Sequence, residues 1–259
     1  MNMADRWLGR LRAVSAALVL GNVALAHCET LVASDVSTRL GLGFHVVEAR
    51  LQKWLPSGWQ PNPPTLGPSR GTNLFLGFVD RLLNLDNEGK PIAGGRDRYL
   101  AIVVPARQSA TGQSGNLVVR VFTGNAAMLP GAYKTSVLAE IRREQSDQGA
   151  GIDPGTATDA WEVRNGSGVV EVKLHYRREL PHRSSSEQKF FSPVQPDFYR
   201  IYRTDQGADV ARSVPLEVNR VESFSVKVSI AELQELFDGT EQLISVTAAP
   251  WAVRQIFVP

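Results

Sequence analysis

The sequence predicts a mainly β fold of antiparallel strands with a few short helices. Ten segments have the residue types and the alternation of β-strands, and Gly- and Asn-rich turns separate most of them. Almost no helical pattern lies between them. Because a parallel crossover needs a dozen or more connecting residues that usually form a helix, antiparallel pairing is favoured. The ten segments are residues 73–80, 98–106, 116–123, 133–142, 157–164, 168–177, 198–203, 220–229, 242–248 and 251–258.

Residues 1–26 have the pattern of a secretory signal peptide. Three arginines precede an apolar run over residues 13–26, and Ala24-Leu25-Ala26 fits a small-x-small cleavage site. The run is shorter than the roughly 20 apolar residues that a bilayer span needs. We therefore expect export to the periplasm or the cell exterior, with no stable membrane insertion after cleavage. Lipoprotein processing at Cys28 and an uncleaved amphipathic anchor are the alternatives.

Residues 27–259 are predicted to form a single β domain. Cys28 is the only cysteine, which excludes a disulfide within the chain and a thiolate zinc site. A hydrophobic core must therefore hold the fold. The four histidines show no metal-ligand spacing, and no strand–Gly-loop–helix unit surrounds the glycines. We therefore expect neither a metal nor a cofactor.

The balance of charge argues against nucleic acid as a partner. The chain carries 28 basic and 26 acidic residues, and cleavage after Ala26 would remove three arginines and one aspartate, which makes the two signs equal. Phosphate binding needs a clustered basic excess, whereas no run of Lys and Arg here is longer than a pair.

Short helices are predicted near both ends of the domain. Apolar residues recur at helical spacing over residues 46–55, and Pro56-Ser57-Gly58 ends that run. A second amphipathic helix is expected over residues 230–237, with Ser229 as its N-cap.

One hairpin and two irregular inserts are predicted in the middle of the chain. Residues 161–164 and 169–176 should pair across Asn165-Gly166, because this dipeptide tolerates the positive φ values of a type I′ turn. Residues 149–158 and 181–196 look irregular. The aromatic pair within the second insert suggests that it folds back over the domain.

The segment over residues 133–142 has the alternation of a half-buried strand. On one face lie Tyr133 and apolar residues, and on the other Lys134 and Ser136 point the same way. In a barrel the second face would point into a cavity, and on a flat sheet it would point into water.

Four stretches together resemble the acetoacetate decarboxylase superfamily: residues 54–59 (WLPSGW), 99–106 (YLAIVVPA), 138–141 (LAEI) and 236–250. Members carry a Gly-x-Pro-Lys-Lys-Leu-like segment before an Ala-(Asp/Glu)-Ile strand. The resemblance implies an antiparallel β-roll or cone-like barrel, a cavity for a small carbonyl or carboxylate compound, and a homo-oligomer.

The resemblance also implies a lysine that forms a Schiff base, but this sequence departs from the motif. Alignment on residues 138–141 puts Ser136 and Val137 where the family has paired lysines, so Lys134 lies two residues early. Tyr99 stands where the family usually has a carboxylate. An imine-forming lysine must be buried or lie beside a cation, because both disfavour the ammonium form. Arg120 or Arg142 are candidates for that cation.

Two functional hypotheses follow. In the first, the chain is a lyase of decarboxylase or aldolase type with Lys134 as the catalytic residue. In the second, it is a non-catalytic small-molecule-binding or structural relative, and Lys134 faces solvent. In either case Tyr99, Tyr133, Ser136 and Arg120 are the candidate substrate-binding residues, although buried tyrosines are more often core residues.

Overall fold

The computed structural model describes residues 29–92, 96–166, 168–195 and 197–259, and the predicted signal peptide lies outside these ranges. The described chain is mostly strand with a few short helices, which confirms the predicted class. Within it, no helix is long and apolar enough to cross a membrane. The strands, in chain order, are β1 (Thr30–His45), β2 (Trp59–Pro61), β3 (Leu74–Asp86), β4 (Asp97–Gln108), β5 (Ser114–Thr123), β6 (Ser136–Leu138), β7 (Glu140–Ala150), β8 (Asp153–Asn165), β9 (Gly168–Arg177), β10 (His182–Phe191), β11 (Tyr199–Ser213), β12 (Val218–Asn219), β13 (Val221–Val228) and β14 (Gln242–Val258).

The larger sheet closes on itself. Hydrogen-bonded strands follow one another in the order β4-β3-β1-β14-β11-β10-β5, and β5 also pairs with β4, which completes the ring. Most of these pairs are antiparallel, whereas β5 pairs in parallel with β6 and with the end of β10. A closed, mainly antiparallel sheet agrees with the predicted roll or cone-like barrel.

A four-stranded sheet, in the order β13-β9-β8-β7, packs against the closed one. Trp161 of β8 contacts Phe78 of β3, with 5.4 Å between ring centroids, so one hydrophobic core spans both sheets. A polar contact also joins them. Arg143 of β7 donates to the Asp159 carboxylate at 2.9 and 2.8 Å and to the Thr38 hydroxyl of β1 at 2.5 Å.

The first predicted helix and the predicted hairpin are both present. Helix α1 (Glu48–Leu51) continues into a 3-10 turn (Gln52–Trp54). In the hairpin, Asn165 pairs with Gly168, and side chains along β9 alternate between core and surface.

The prediction of one strand over residues 133–142 is wrong. Gly131 and Lys134 have φ values of +73° and +59°, in the left-handed region, so the chain turns there instead of extending. Strand β6 begins only at Ser136. The alternation that placed Lys134 and Ser136 on one face therefore does not apply.

The two inserts are also strands. Residues 149–158 form the turn and flanks of the β7–β8 hairpin, and residues 182–191 form β10, paired with β11 over ten residues. Side chains 182–189 are all exposed, so β10 lacks the apolar alternation that marks a strand in sequence. The C-terminal helix is a single 3-10 turn, Ala231–Leu233, and the Ser229 hydroxyl bonds the Val169 backbone rather than a helix end.

Candidate functional site

A cavity of about 310 Å³ lies inside the closed sheet. Strands β1, β3, β4, β5, β10, β11 and β14 supply side chains to it, as does the turn before β6. Part of the lining is apolar, from valine, alanine and isoleucine side chains, and part consists of charged and tyrosine side chains. Among the described residues, three arginines (Arg81, Arg200 and Arg254) and one carboxylate (Asp97) line this cavity, which gives it a positive balance.

The first polar contact pairs β14 with β1. Arg254 and Asp35 are cross-strand partners in the register of the sheet. Arg254 donates to Asp35 Oδ2 from Nε at 2.8 Å and from Nη2 at 2.5 Å. The same Nη2 also donates to the Tyr99 hydroxyl at 2.9 Å. Asp35 is 1% exposed and Arg254 8%, so this is a buried ion pair that holds a guanidinium against the cavity.

A second ion pair lies across β3 and β4. Arg81 and Asp97 are cross-strand partners, with 3.3 Å between Arg81 Nε and Asp97 Oδ1. The Arg81 guanidinium also lies 5.1 Å from the centre of the Tyr99 ring. Both arginines therefore approach Tyr99, Arg254 at the hydroxyl and Arg81 at the ring.

These two guanidinium groups retain unused donors. Arg254 Nη1 makes no hydrogen bond to any described residue, and neither do Nη1 and Nη2 of Arg81, whose Nε lies beside Asp97. Buried polar groups are nearly always hydrogen-bonded, so donors that line a cavity fit an acceptor placed inside it. The planar fork of arginine matches a carboxylate in particular.

Three tyrosines line the cavity, and the pKa values of two of them, Tyr99 and Tyr133, are shifted in opposite directions. Burial alone would raise the pKa of Tyr99, but Arg254 and Arg81 bring that pKa below its ordinary value. Burial raises the pKa of Tyr133 well above the ordinary value, and Tyr202 raises it further. The Tyr133 hydroxyl donates to the Tyr202 hydroxyl at 2.7 Å. Tyr133 therefore stays a phenol, whereas Tyr99 loses its proton more easily.

The pKa values of the two carboxylates, Asp35 and Asp97, are also shifted in opposite directions. Burial raises the pKa of Asp35, but Arg254, Arg39 and Arg81 together bring it below the ordinary value. For Asp97, burial outweighs the effect of Arg81, and the pKa is raised.

The structure brings three of the five predicted site residues together. Tyr99, Tyr133 and Ser136 all line the cavity. Arg120 does not line it and pairs instead with Glu232. Lys134 is exposed in the turn before β6 and is also absent from the lining, so it lacks the burial that an imine-forming lysine requires.

The charged residues Asp35, Arg81, Asp97 and Arg254 were not singled out in the sequence. One signal was available for Arg254, because it shares a strand face with Ala252 and Ile256, both buried. A charged residue on the apolar face of a strand is expensive unless it is paired. Its partner is 219 positions away in sequence, so spacing gives no indication of it.

No model of a known protein family matches the sequence, and no curated protein matches it. Solved structures do match. The enduracididine biosynthesis enzyme MppR, with bound HEPES buffer, superposes with a TM-score of 0.54 at 11% identity over 89% of this chain and 86% of that chain. Acetoacetate decarboxylase from Legionella pneumophila gives a TM-score of 0.53 at 12% identity over 89% and 86%. An acetoacetate decarboxylase-like enzyme from Sphingomonas wittichii RW1 gives 0.50 at 11% identity over 88% and 91%.

Proposed function

From the acetoacetate decarboxylase-like fold of this chain, we propose that its cavity binds a small organic anion bearing a carboxylate and a carbonyl group. The observation that carries the proposal is the buried Arg254, fixed by Asp35 while Nη1 keeps its donors unused by the described chain. Among similar structures, MppR is described in complex with pyruvate. That compound has both of these groups and serves as a probe.

The arginines and Tyr99 have distinct roles in this proposal. Arg254 and Arg81 bind the carboxylate, which accepts hydrogen bonds best from planar cations. In its phenol form, Tyr99 donates its unused hydroxyl proton to the ligand next to the carbonyl group. The apolar part of the lining, including Val121 and Ile256, receives the carbon chain of the ligand.

A Schiff-base lyase that uses Lys134 is the second candidate. All six lysines of the sequence lie in described positions, and none of them lines the cavity. We therefore favour a site in which arginine and tyrosine side chains hold the ligand without an imine.

Calorimetric titration with pyruvate tests the binding proposal. In Arg254→Lys the charge is kept but the planar fork is lost, so affinity for pyruvate should fall about ten- to hundredfold, since a hydrogen bond to a charged group contributes about 1.5–3 kcal/mol. The matched control is Arg142→Lys. Arg142 is exposed, pairs with Glu140 and lies outside the cavity lining, so affinity should not change. Equal affinities of Arg254→Lys and the wild type, with both folded, would contradict the proposal.

A further inference from the structure

Tyr99 has a hydrogen bond that leaves its own proton unused by the described chain. Its hydroxyl oxygen accepts from Arg254 Nη2 at 2.9 Å. A guanidinium has no acceptor, so Tyr99 cannot donate back to Arg254. No described residue accepts a hydrogen bond from the Tyr99 hydroxyl, and Tyr99 lines the cavity. Its proton is therefore free to be donated to a bound molecule.

The charges around Tyr99 favour its phenolate. Arg254 contacts the hydroxyl from β14, and Arg81 lies over the ring from β3. From β1, Arg39 adds positive charge while Asp35 opposes it. The cations outweigh both burial and the carboxylate, so the pKa of Tyr99 lies below that of an ordinary tyrosine. An oxygen anion formed there would lie against the Arg254 guanidinium, with the Arg81 guanidinium over the ring.

Tyr133 provides an internal contrast. It lines the same cavity, but its hydroxyl donates to Tyr202, and its pKa is raised. Two titratable groups that share a site and have pKa values pushed in opposite directions are typical of an acid and base pair. Of the two, Tyr99 is the group that can both take and return a proton.

We infer that Tyr99 is a proton-transfer residue and that the cavity enolises the oxo acid that it binds. This inference rests on the proposed function, because the carboxylate of the oxo acid must first be held by the arginines. It adds an activity that needs no lysine.

The chemistry balances within the site. The phenolate oxygen of Tyr99 removes a proton from the carbon next to the carbonyl, which breaks the C–H bond and forms the O–H bond of the phenol. The C–H electron pair becomes the C=C bond of an enolate, and the carbonyl oxygen takes the negative charge beside the guanidinium groups. The O–H of Tyr99 then exchanges with solvent, and return of a hydrogen from it to the carbon restores the oxo acid, which carries deuterium when the solvent is D2O. No oxidant, reductant or co-reactant is required.

Exchange of hydrogen for deuterium tests this inference. The full-length protein is mixed with 2-oxobutyrate in D2O, and loss of the C3 methylene proton signal is followed by NMR. The wild type should exchange the two methylene protons at unequal rates, because a bound ligand presents one face to Tyr99, whereas buffer treats both protons alike. In Tyr99→Phe the rate should fall at least about a hundredfold, the size expected for loss of a general acid–base group.

Calorimetry on the same samples separates this activity from binding. Affinity of Tyr99→Phe for 2-oxobutyrate should fall less than about tenfold, the loss expected for one hydrogen bond. Tyr199→Phe is the matched control. Tyr199 packs on Phe191, lies outside the cavity lining and makes no hydrogen bond through its hydroxyl to a described residue, so both rate and affinity should stay unchanged.

The outcomes distinguish failure of the proton-transfer role from failure of binding. Binding of 2-oxobutyrate by the wild type without exchange above buffer overturns the proton-transfer role and leaves the binding proposal standing. Exchange by Tyr99→Phe at the wild-type rate does the same. Absence of binding overturns both proposals. Should Tyr99→Phe not fold, the pH profile of the wild type decides: the exchange rate should rise with pH and level off below pH 10, and a profile still rising beyond that value would contradict the inference.

Discussion

At the scale of single residues, Asp35 is the buried carboxylate that holds Arg254 against the cavity. It bonds Arg254 and also lies near Ser37 and Arg39, at 3.2 and 3.4 Å from Oδ1. In Asp35→Asn the buried Arg254 loses its counter-charge, which should lower the free energy of unfolding by about 3–5 kcal/mol at pH 7. Urea unfolding measures this loss. As a control, Glu140→Gln removes the carboxylate of an exposed ion pair and should change stability by less than about 1 kcal/mol.

Acidification should reduce the difference in free energy of unfolding between the wild type and Asp35→Asn. Because the folded pKa of Asp35 is lowered, its stabilisation is fully present above the unfolded pKa of about 4 and is lost as pH falls through the lower folded value. Asp97 has a raised pKa, so its contribution to stability increases as pH falls. This contribution is the same in both proteins and does not affect the difference. Urea unfolding at pH 7, 5 and 3 provides the comparison. A difference that stays constant down to pH 3 would mean that Asp35 is not linked to the ion pair in this way.

Lys134 was predicted as a catalytic residue, but in the structure it is exposed and has an unusual backbone conformation. Its φ of +59° is unfavourable for a side chain but readily adopted by glycine. We therefore expect Lys134→Gly to unfold at a urea concentration equal to or above that of the wild type and to bind pyruvate unchanged. Loss of pyruvate binding in folded Lys134→Gly would restore Lys134 as a site residue.

At the scale of elements, the turn before β6 shapes one wall of the cavity. Gly131 has a φ of +73°, and a Cβ added there would overlap Ser136 Oγ. Gly131→Ala should therefore destabilise the fold by about 1–2 kcal/mol and weaken pyruvate binding, because Ser136 must shift.

The matched control for this turn is Gly77→Ala in β3. An added Cβ there would meet only the Ala101 carbonyl oxygen, at 3.8 Å, an ordinary contact, so stability should stay equal or rise. Thermal melting of both variants makes the comparison. Equal melting temperatures of Gly131→Ala and the wild type would show that this turn does not need glycine.

The strands differ in how well sequence predicted them. The β8–β9 hairpin was predicted because its turn residues and its alternation indicate the same structure. Strand β10 was missed because its side chains 182–189 are exposed, and β1 was missed although Leu40, Leu42 and Phe44 alternate with glycines in the core. The turn at Lys134 was mistaken for strand because alternation continues through it by chance.

At the scale of the whole molecule, the sequence predicted the class of fold but not the pairing that builds the site. The cavity forms because β1 lies between β3 and β14, which brings residues from both ends of the domain together. Such long-range register follows from packing of the complete sheet, and local patterns do not specify it. Tyr99 and Ser136 were predicted on a family resemblance and Tyr133 as a candidate cavity hydroxyl, whereas the ion pairs around Tyr99 were found only in the folded chain.

Export stays a prediction from residues 1–26. If it is correct, N-terminal sequencing of the protein recovered from the periplasm or medium should begin at His27. Recovery of the chain with residues 1–26 attached would favour the uncleaved anchor, and a lipid-modified Cys28 would favour the lipoprotein.

The carboxylate requirement of the cavity is tested most directly by a calorimetric comparison of pyruvate with pyruvamide. The two probes differ only in replacement of the carboxylate by a neutral amide, and Arg254 and Arg81 are placed to bind the charged group. We expect the wild type to bind pyruvate about ten- to hundredfold more tightly than pyruvamide, and Arg254→Lys to lose most of that preference. Equal affinity of the wild type for the two probes would contradict a carboxylate site at Arg254.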